Sequence, residues 1–192
     1  MTHKHDKTTE DKVTFGFWVY LMSDCVVFAA LFATYAVLRT ASFGAPGIDS
    51  LIDMPYVLAE TFLLLTSSFT MGLAMLAAHA GRKMWTLAAL AGTLALGLGF
   101  LTMEVVEFAH LVGIGAGPDK SAALSSLWAL LGTHGLHVAL GSVWMLVLMA
   151  HVFFRGLVAG TTRKLMCLGL FWHFLDIIWI FIFTFVYLFG SI

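Results

Sequence analysis

The sequence predicts an all-α, polytopic membrane protein with five transmembrane helices, its N-terminus inside and its C-terminus outside. The 192 residues are 60% hydrophobic and only 11% charged, with a mean hydropathy of +0.95. A soluble domain carries about 25% charged residues. The chain also contains five apolar runs that reach the roughly 20 residues a spanning helix needs. Its lysines and arginines are unevenly distributed between alternate connections, which sets the orientation.

The first 16 residues are polar and contain three lysines. A basic start before an apolar run can be a signal peptide, but the run at 17–38 is too long for a signal h-region. We therefore expect a cytoplasmic tail at 1–16 and one transmembrane bundle over 17–192. His3 and His5 are expected to lie in a disordered tail and not in a metal site.

Each apolar run ends at residues that favour turns. The connection at 40–55 contains glycine, two prolines and aspartate, and that at 113–121 contains four glycines or prolines before Asp119. Such clusters mark loops. The connections at 80–84 and 155–164 are short and basic. The predicted spans are residues 17–38, 57–79, 85–112, 122–154 and 165–190.

The orientation follows from the positive residues, which remain on the cytoplasmic side of membrane proteins. With five crossings, the opposite side holds only Arg39 and Lys120. Gaining or losing one span would remove this asymmetry, so the count supports both the number of spans and an N-terminus inside. The eight residues on the tail side are Lys4, Lys7, Lys12, Arg82, Lys83, Arg155, Arg163 and Lys164.

Small residues recur at a four-residue spacing in two of the spans. Ala89, Thr93 and Gly97 do so in the third span, and Gly135 and Ala139 in the fourth. Small side chains allow helices in lipid to approach closely. These positions are therefore predicted to be helix-packing seams.

Several ionisable residues lie inside the predicted spans. A charge at mid-bilayer costs about 2.5–3.5 kcal/mol on insertion scales, so such residues usually face the bundle interior and pair with one another. The set comprises Asp24, Glu60, Glu104, Glu107, His134, His137, His173 and Asp176.

Depth divides this set into two expected clusters. At a rise of 1.5 Å per residue, we expect an inner cluster of Asp24, His134, His137, His173 and Asp176. We expect an outer cluster of Glu60, Glu104 and Glu107, with His110 nearby.

Residue chemistry leaves three interpretations open. The histidines could bind metal or haem, and Glu107–His110 forms one ExxH motif, although di-iron bundles use two. The chain could move protons by itself, although it lacks the broken helices of transporters. The groups could instead pair across helices and fix the bundle, which the residues favour. No basic patch suggests nucleic acid.

The motifs together resemble subunit III of the haem–copper respiratory oxidases. Five spans, Ser-Asp-Cys at 23–25 and GAGPD at 115–119 resemble most the quinol-oxidising, cytochrome bo-type branch. A bacterial five-helix cytochrome c oxidase stays open, while mitochondrial-type members have two further helices and usually glutamate at the place of Asp24. The matching segments are FGFWVYLMSDCVVFAALFATYAVL (15–38), LAETFLLLTSS (58–68), LTMEVVEFAHL (101–111), LLGTHGLHVALG (130–141) and LFWHFLDIIWIFIF (170–183).

The resemblance implies a subunit without catalytic residues, haem or copper of its own. It implies haem b, haem o and copper in subunit I, and packing mainly on subunit I beside subunits II and IV. The complex would oxidise ubiquinol, reduce oxygen to water and move protons across the bacterial inner membrane. The chain would support assembly, bind phospholipid and assist proton uptake.

The resemblance also carries over residue roles. Asp24 matches the family's buried carboxylate, on a helix that faces subunit I and supports proton uptake. The interhelical polar network of the family matches Glu60, Glu104, Glu107, His134, His137, His173 and Asp176.

Overall fold

A computed structural model describes residues 2–39 and 53–188, and every regular element in them is helical. Five helices are long and apolar enough to cross a membrane, which confirms the predicted fold class. The helices are α1 (Thr2–Leu38), α2 (Met54–His79), α3 (Lys83–Gly113), α4 (Ala122–Arg155) and α5 (Ala159–Ile182), and α5 continues as a π-helical segment over Phe183–Leu188.

The helix ends follow from local chemistry. Pro55 lies in the first turn of α2, where its missing N–H removes no helical hydrogen bond. Ser121 caps α4 by accepting a hydrogen bond from Leu124 N at 3.1 Å, as short hydroxyl side chains do. Gly81 and Gly115 have φ of 69° and 79°, a left-handed conformation that favours glycine. They allow the sharp turns after α2 and α3.

Two helices begin before the spans predicted for them. Helix α1 begins at Thr2, so the expected disordered tail is helical, because no proline or glycine before Gly16 interrupts the chain. Helix α5 begins at Ala159, six residues before the predicted start at 165, because Thr161 to Lys164 are polar but compatible with a helix. Most of the predicted loop at 40–55 (residues 40–52) and the end of the last span at 190 lie outside the described residues.

Helices α2 to α5 form a ring in which each packs against two others. Helix α2 contacts α3 and α5, and α4 contacts α3 and α5. Helix α1 lies outside this ring against α4 and, less extensively, α5. In the most apolar 18-residue window of each helix, 22% of the residues are buried in α1 and 56% in α5. Helix α5 is therefore central, whereas most of α1 faces away from the bundle.

The closest helix contacts occur at two of the predicted seam residues. A Cβ atom at Gly97 would lie 2.8 Å from the Trp172 ring, and one at Gly135 would lie 2.8 Å from Cδ of Glu104. Both distances are too short for a methyl group. Gly97 therefore leaves room for the Trp172 ring against α3, and Gly135 leaves room for the Glu104 side chain against α4.

Candidate functional site

Side-chain hydrogen bonds join α5 to α2 along much of their shared length. Trp172 Nε1 donates to Ser67 Oγ at 3.0 Å, and Trp179 Nε1 donates to Thr61 Oγ1 at 3.1 Å. Both indoles are buried, and a buried indole N–H requires an acceptor. Because the bonds lie about two turns apart, they fix the register of the two helices.

A second polar group on the same helix pair contains Ser68, His173 and Asp176. Ser68 Oγ lies 2.6 Å from His173 Nδ1, a bond that joins α2 to α5. Asp176 lines the same groove between these two helices as Ser68 and His173. Asp176 Oδ1 is buried without a hydrogen-bond partner among the described residues.

Asp24 on α1 faces His137 on α4. Its Oδ2 lies 4.0 Å from His137 Nε2, while His137 Nδ1 donates to the Thr133 carbonyl at 2.7 Å. That bond leaves Nε2 as the nitrogen directed toward Asp24, whose Oδ2 is buried without a hydrogen-bond partner among the described residues.

His134 lies one helical turn from His137 but has different neighbours. Its Nε2 donates to the Leu175 carbonyl at 3.2 Å, and the rings of Phe100 and Trp179 pack around it at 5.7 and 5.2 Å between centroids. It is fully buried, and its Nδ1 has no hydrogen-bond partner in the described part of the chain. His134 therefore joins α4 to α5 in an aromatic cage.

Three glutamates from two helices meet in the predicted outer half of the bundle. Glu60 and Glu104 are buried, and both interact electrostatically with Glu107. Both Glu60 oxygens and Oε1 of Glu104 lack hydrogen-bond partners within residues 2–39 and 53–188. Tyr187 donates to both Glu107 oxygens at 3.4 Å, so the π-helical end of α5 completes this group.

The structure thus brings together the three outer glutamates but divides the five inner residues. Asp24 pairs with His137 between α1 and α4, and His134 bonds to α5, whereas His173 and Asp176 face α2. His110, one turn after Glu107 on α3, is exposed. In the part of the chain described, no three histidine, cysteine or acidic side chains are arranged to hold a metal ion.

The main residues that sequence reasoning missed are the uncharged partners Thr61, Ser67 and Ser68, and the donors Trp172, Trp179 and Tyr187. A usable signal was present. Tryptophan and tyrosine inside a span carry polar hydrogens for which lipid offers no acceptor. Their partners were therefore to be sought among polar groups of the neighbouring helices.

Replacing Trp179 with phenylalanine tests the α2–α5 hydrogen bonds. The substitution keeps a large ring but leaves the buried Thr61 hydroxyl without its donor, so we expect a loss of about 1–2 kcal/mol in unfolding free energy. The measurement is titration of the purified protein from mild detergent into denaturing detergent. Trp18→Phe on the exposed face of α1 is the control. Equal effects of both substitutions would contradict the assigned role.

Over nearly its full length, the chain is similar in sequence to proteins of one family. The family model described as cytochrome c oxidase subunit III matches residues 1–191. The chain is 53% identical over 190 residues to the cytochrome bo(3) ubiquinol oxidase subunit 3 of Pseudomonas aeruginosa, covering 99% of this chain and 91% of that protein.

Two further relatives have a lower identity to this chain. The cytochrome bo(3) ubiquinol oxidase subunit 3 of Buchnera aphidicola subsp. Baizongia pistaciae is 40% identical over 190 residues, with 99% of this chain and 98% of that protein covered. The quinol oxidase subunit 3 of Bacillus subtilis is 43% identical over 179 residues, with 91% and 86% covered.

Proposed function

The chain belongs to the cytochrome c oxidase subunit III family, and from this membership we propose that it is a subunit without a redox centre in a proton-pumping ubiquinol oxidase. The single observation that carries the proposal is its similarity, over nearly its full length, to ubiquinol oxidase subunits 3. The complex oxidises ubiquinol and reduces oxygen to water in aerobic respiration. Haem b, haem o and copper reside in subunit I.

The polar contacts of the bundle support an assembly role for this chain. The tryptophan bonds, the Ser68 group and the His134–Leu175 bond each join two helices. Each contact pairs groups that would be costly to leave alone in lipid. Such a chain offers its partners a fixed surface.

Location and partners follow from the same proposal. The chain is a multi-pass membrane protein, placed here in the bacterial inner membrane with residues 1–16 inside and the C-terminus outside. Helix α1 is the most exposed helix of the bundle and carries Asp24, which the family places toward subunit I. We therefore assign the main contact with subunit I to α1, with subunits II and IV in the same complex.

A groove between α1 and α5 supports phospholipid binding. Its volume is about 690 Å³, and its walls include Phe32, Phe181 and Phe185. Arg39 lies at the end of α1 and lines the same groove. An acyl chain would lie against the aromatic walls while its phosphate pairs with the guanidinium, which suits phosphate geometry.

Asp24 is assigned to proton-uptake support because the resemblance gives the family's buried carboxylate this role, and because its Oδ2 lies buried 4.0 Å from His137 Nε2. Asp24→Asn keeps the shape of the side chain but removes the carboxyl group. We expect a normal initial rate of oxygen consumption, followed by slower proton uptake during sustained turnover. The measurements are the steady-state rate and the number of protons moved per electron.

The control for this variant is Asp119→Asn, which changes an exposed carboxylate paired with Lys120 at 3.0 Å. It should leave both measurements unchanged. Normal rates and proton stoichiometry in Asp24→Asn itself would remove Asp24 from this role.

A cytochrome c oxidase subunit III is the alternative within the family, because the matching family model is described by that name. The two kinds of oxidase differ in the electron donor that they use. We expect the purified complex to consume oxygen rapidly with ubiquinol and slowly with reduced cytochrome c. The opposite preference would assign the chain to a cytochrome c oxidase.

A further inference from the structure

Three carboxyls lie together inside the bundle, at the end where α2 begins and α3 ends. This glutamate cluster consists of Glu60, near the start of α2, and of Glu104 and Glu107, near the end of α3. Glu60 interacts electrostatically with both of the others, and Glu104 interacts with Glu107. Acids from two helices therefore meet at one place in the protein.

Glu60 is the most completely buried member of the cluster. Its side chain is 0% exposed, and neither of its carboxyl oxygens has a hydrogen-bond partner among residues 2–39 and 53–188. Glu104 is 3% exposed, and its Oε1 also lacks a partner there. A buried polar atom without a partner is costly, and a buried charge without one is far more so. Ionising these two carboxyls would therefore be unfavourable.

No described cation pairs with the cluster. From the start of α2, Asp53 adds a further negative charge near Glu107. From α4, Gly135 packs against the Glu104 carboxyl, and the adjacent His134 directs its Nε2 to a backbone carbonyl of α5. In the part of the chain described, no lysine, arginine or histidine forms an ion pair with any of the three glutamates. Three ionised carboxyls would therefore repel one another in an interior that screens charge poorly.

Hydrogen-bond donors are also scarce around the cluster. Tyr187 donates to both Glu107 oxygens at 3.4 Å. Tyr56 also lies near the cluster, but it donates its hydroxyl to a backbone carbonyl of α3 at 2.8 Å. An ionised carboxyl only accepts hydrogen bonds, whereas a protonated one also donates. A proton on Glu60 or Glu104 would therefore remove a charge and supply a donor to a neighbouring carboxyl.

We propose that Glu60 and Glu104 hold at least one proton between them in the folded protein at neutral pH, which makes the glutamate cluster a proton-binding site. Glu107 links this site to the aqueous phase, because it is partly exposed and interacts both with the buried carboxyls and with the exposed Asp53. The site lies on other helices than Asp24. The inference goes beyond the proposed function and does not depend on it, because it concerns this chain alone.

Infrared spectroscopy detects a protonated carboxyl directly, because its C=O stretching band is separate from the bands of ionised carboxylates and backbone amides. The tagged chain is purified in mild detergent at neutral pH. We expect the double variant Glu60→Gln/Glu104→Gln to lose from this band the intensity of at least one carboxyl. Glu10→Gln, the same chemical change in the polar N-terminal segment, is the control and should leave the band unchanged. An unchanged band in the double variant would overturn the proposal.

An isotope label gives a second measurement that needs no substitution in the cluster. The chain contains four glutamates, of which Glu10 lies outside the cluster. In the full-length Glu10→Gln chain, stripped of its partners, carbon-13 in the glutamate carboxyls moves only the carboxyl bands of the cluster. We expect the protonated-carboxyl band to move with the label, and this result decides the matter if the double variant fails to fold. A band that does not move would show that all three glutamates are ionised.

Exchange into heavy water tests the role of Glu107. The protonated-carboxyl band moves when a deuteron replaces the proton. We expect this change to be slower in Glu107→Gln than in the wild type, and to keep its wild-type rate in Glu10→Gln. Equal rates in Glu107→Gln and the wild type would contradict the link to the aqueous phase. None of these measurements uses haem or oxygen consumption, so their failure would leave the proposed function unaffected.

Discussion

Gly97→Leu is expected to prevent the bundle from closing. A Cβ atom at this position would lie 2.8 Å from two atoms of the Trp172 ring. The ring is 1% exposed and is held by its bond to Ser67, so it has no free space to enter. Overpacking of a core costs about 1–3 kcal/mol, and displacing the ring also breaks the indole hydrogen bond. We expect loss of folded protein from the membrane, or unfolding at a markedly lower denaturing-detergent fraction.

The matched control for this prediction is Gly92→Leu, five residues earlier on the same helix. A Cβ atom there meets nothing within 4 Å. The two variants have the same helix propensity and the same added volume, so a difference between them reports packing against Trp172. Similar yields and similar unfolding midpoints would show that α3 does not approach α5 as described.

Asp176→Ala is expected to weaken assembly more than chemistry. The substitution removes a buried carboxyl that lines the same groove between α2 and α5 as Ser68 and His173, where polar groups help to fix neighbouring helices. We expect a clearly smaller amount of complete complex, with the oxygen-consumption rate per haem close to that of the wild type.

The neighbouring Ile177→Ala provides the control, because that side chain is 52% exposed and contributes no polar contact. The measurements are subunit composition on native gels and turnover normalised to haem. A complex of Asp176→Ala that assembles fully but consumes no oxygen would reverse the assigned role and give this carboxyl a part in the chemistry.

The helices and their order could be predicted from the sequence, because an apolar run of spanning length has few alternatives in a membrane. The spacing of His173 and Asp176 also predicted that they share a face, and both line a groove between α2 and α5. Two helices begin before their predicted spans, at Thr2 and Ala159, because the polar residues that precede each span include no helix breaker. Hydropathy marks the membrane boundary there and not the end of the helix.

The division of the inner ionisable residues could not be predicted. Depth follows from counting residues along a helix, but the neighbours of a side chain also depend on how each helix is rotated and which helix lies beside it. His134 and His137 are one turn apart, yet His134 bonds to α5 and His137 faces α1. The sequence alone does not show how each helix is rotated or which helix lies beside it.

The hydroxyl partners were missed for a related reason. Serine and threonine are frequent in transmembrane helices and often bond to their own backbone, as Thr61 does to Val57 at 2.8 Å. Only the position of α5 shows that Thr61 also accepts from Trp179. The donors were therefore recognisable in the sequence, whereas their particular acceptors were not.

The central claim is that this chain is an oxidase subunit that carries no redox centre. Its most direct test is isolation of the tagged chain in mild detergent, with reduced-minus-oxidised visible spectra recorded before and after its partners are stripped. We expect haem bands that arrive with a larger subunit and leave with it. Haem or iron retained by the stripped chain would contradict the claim and make His134, His137 and His173 candidate ligands.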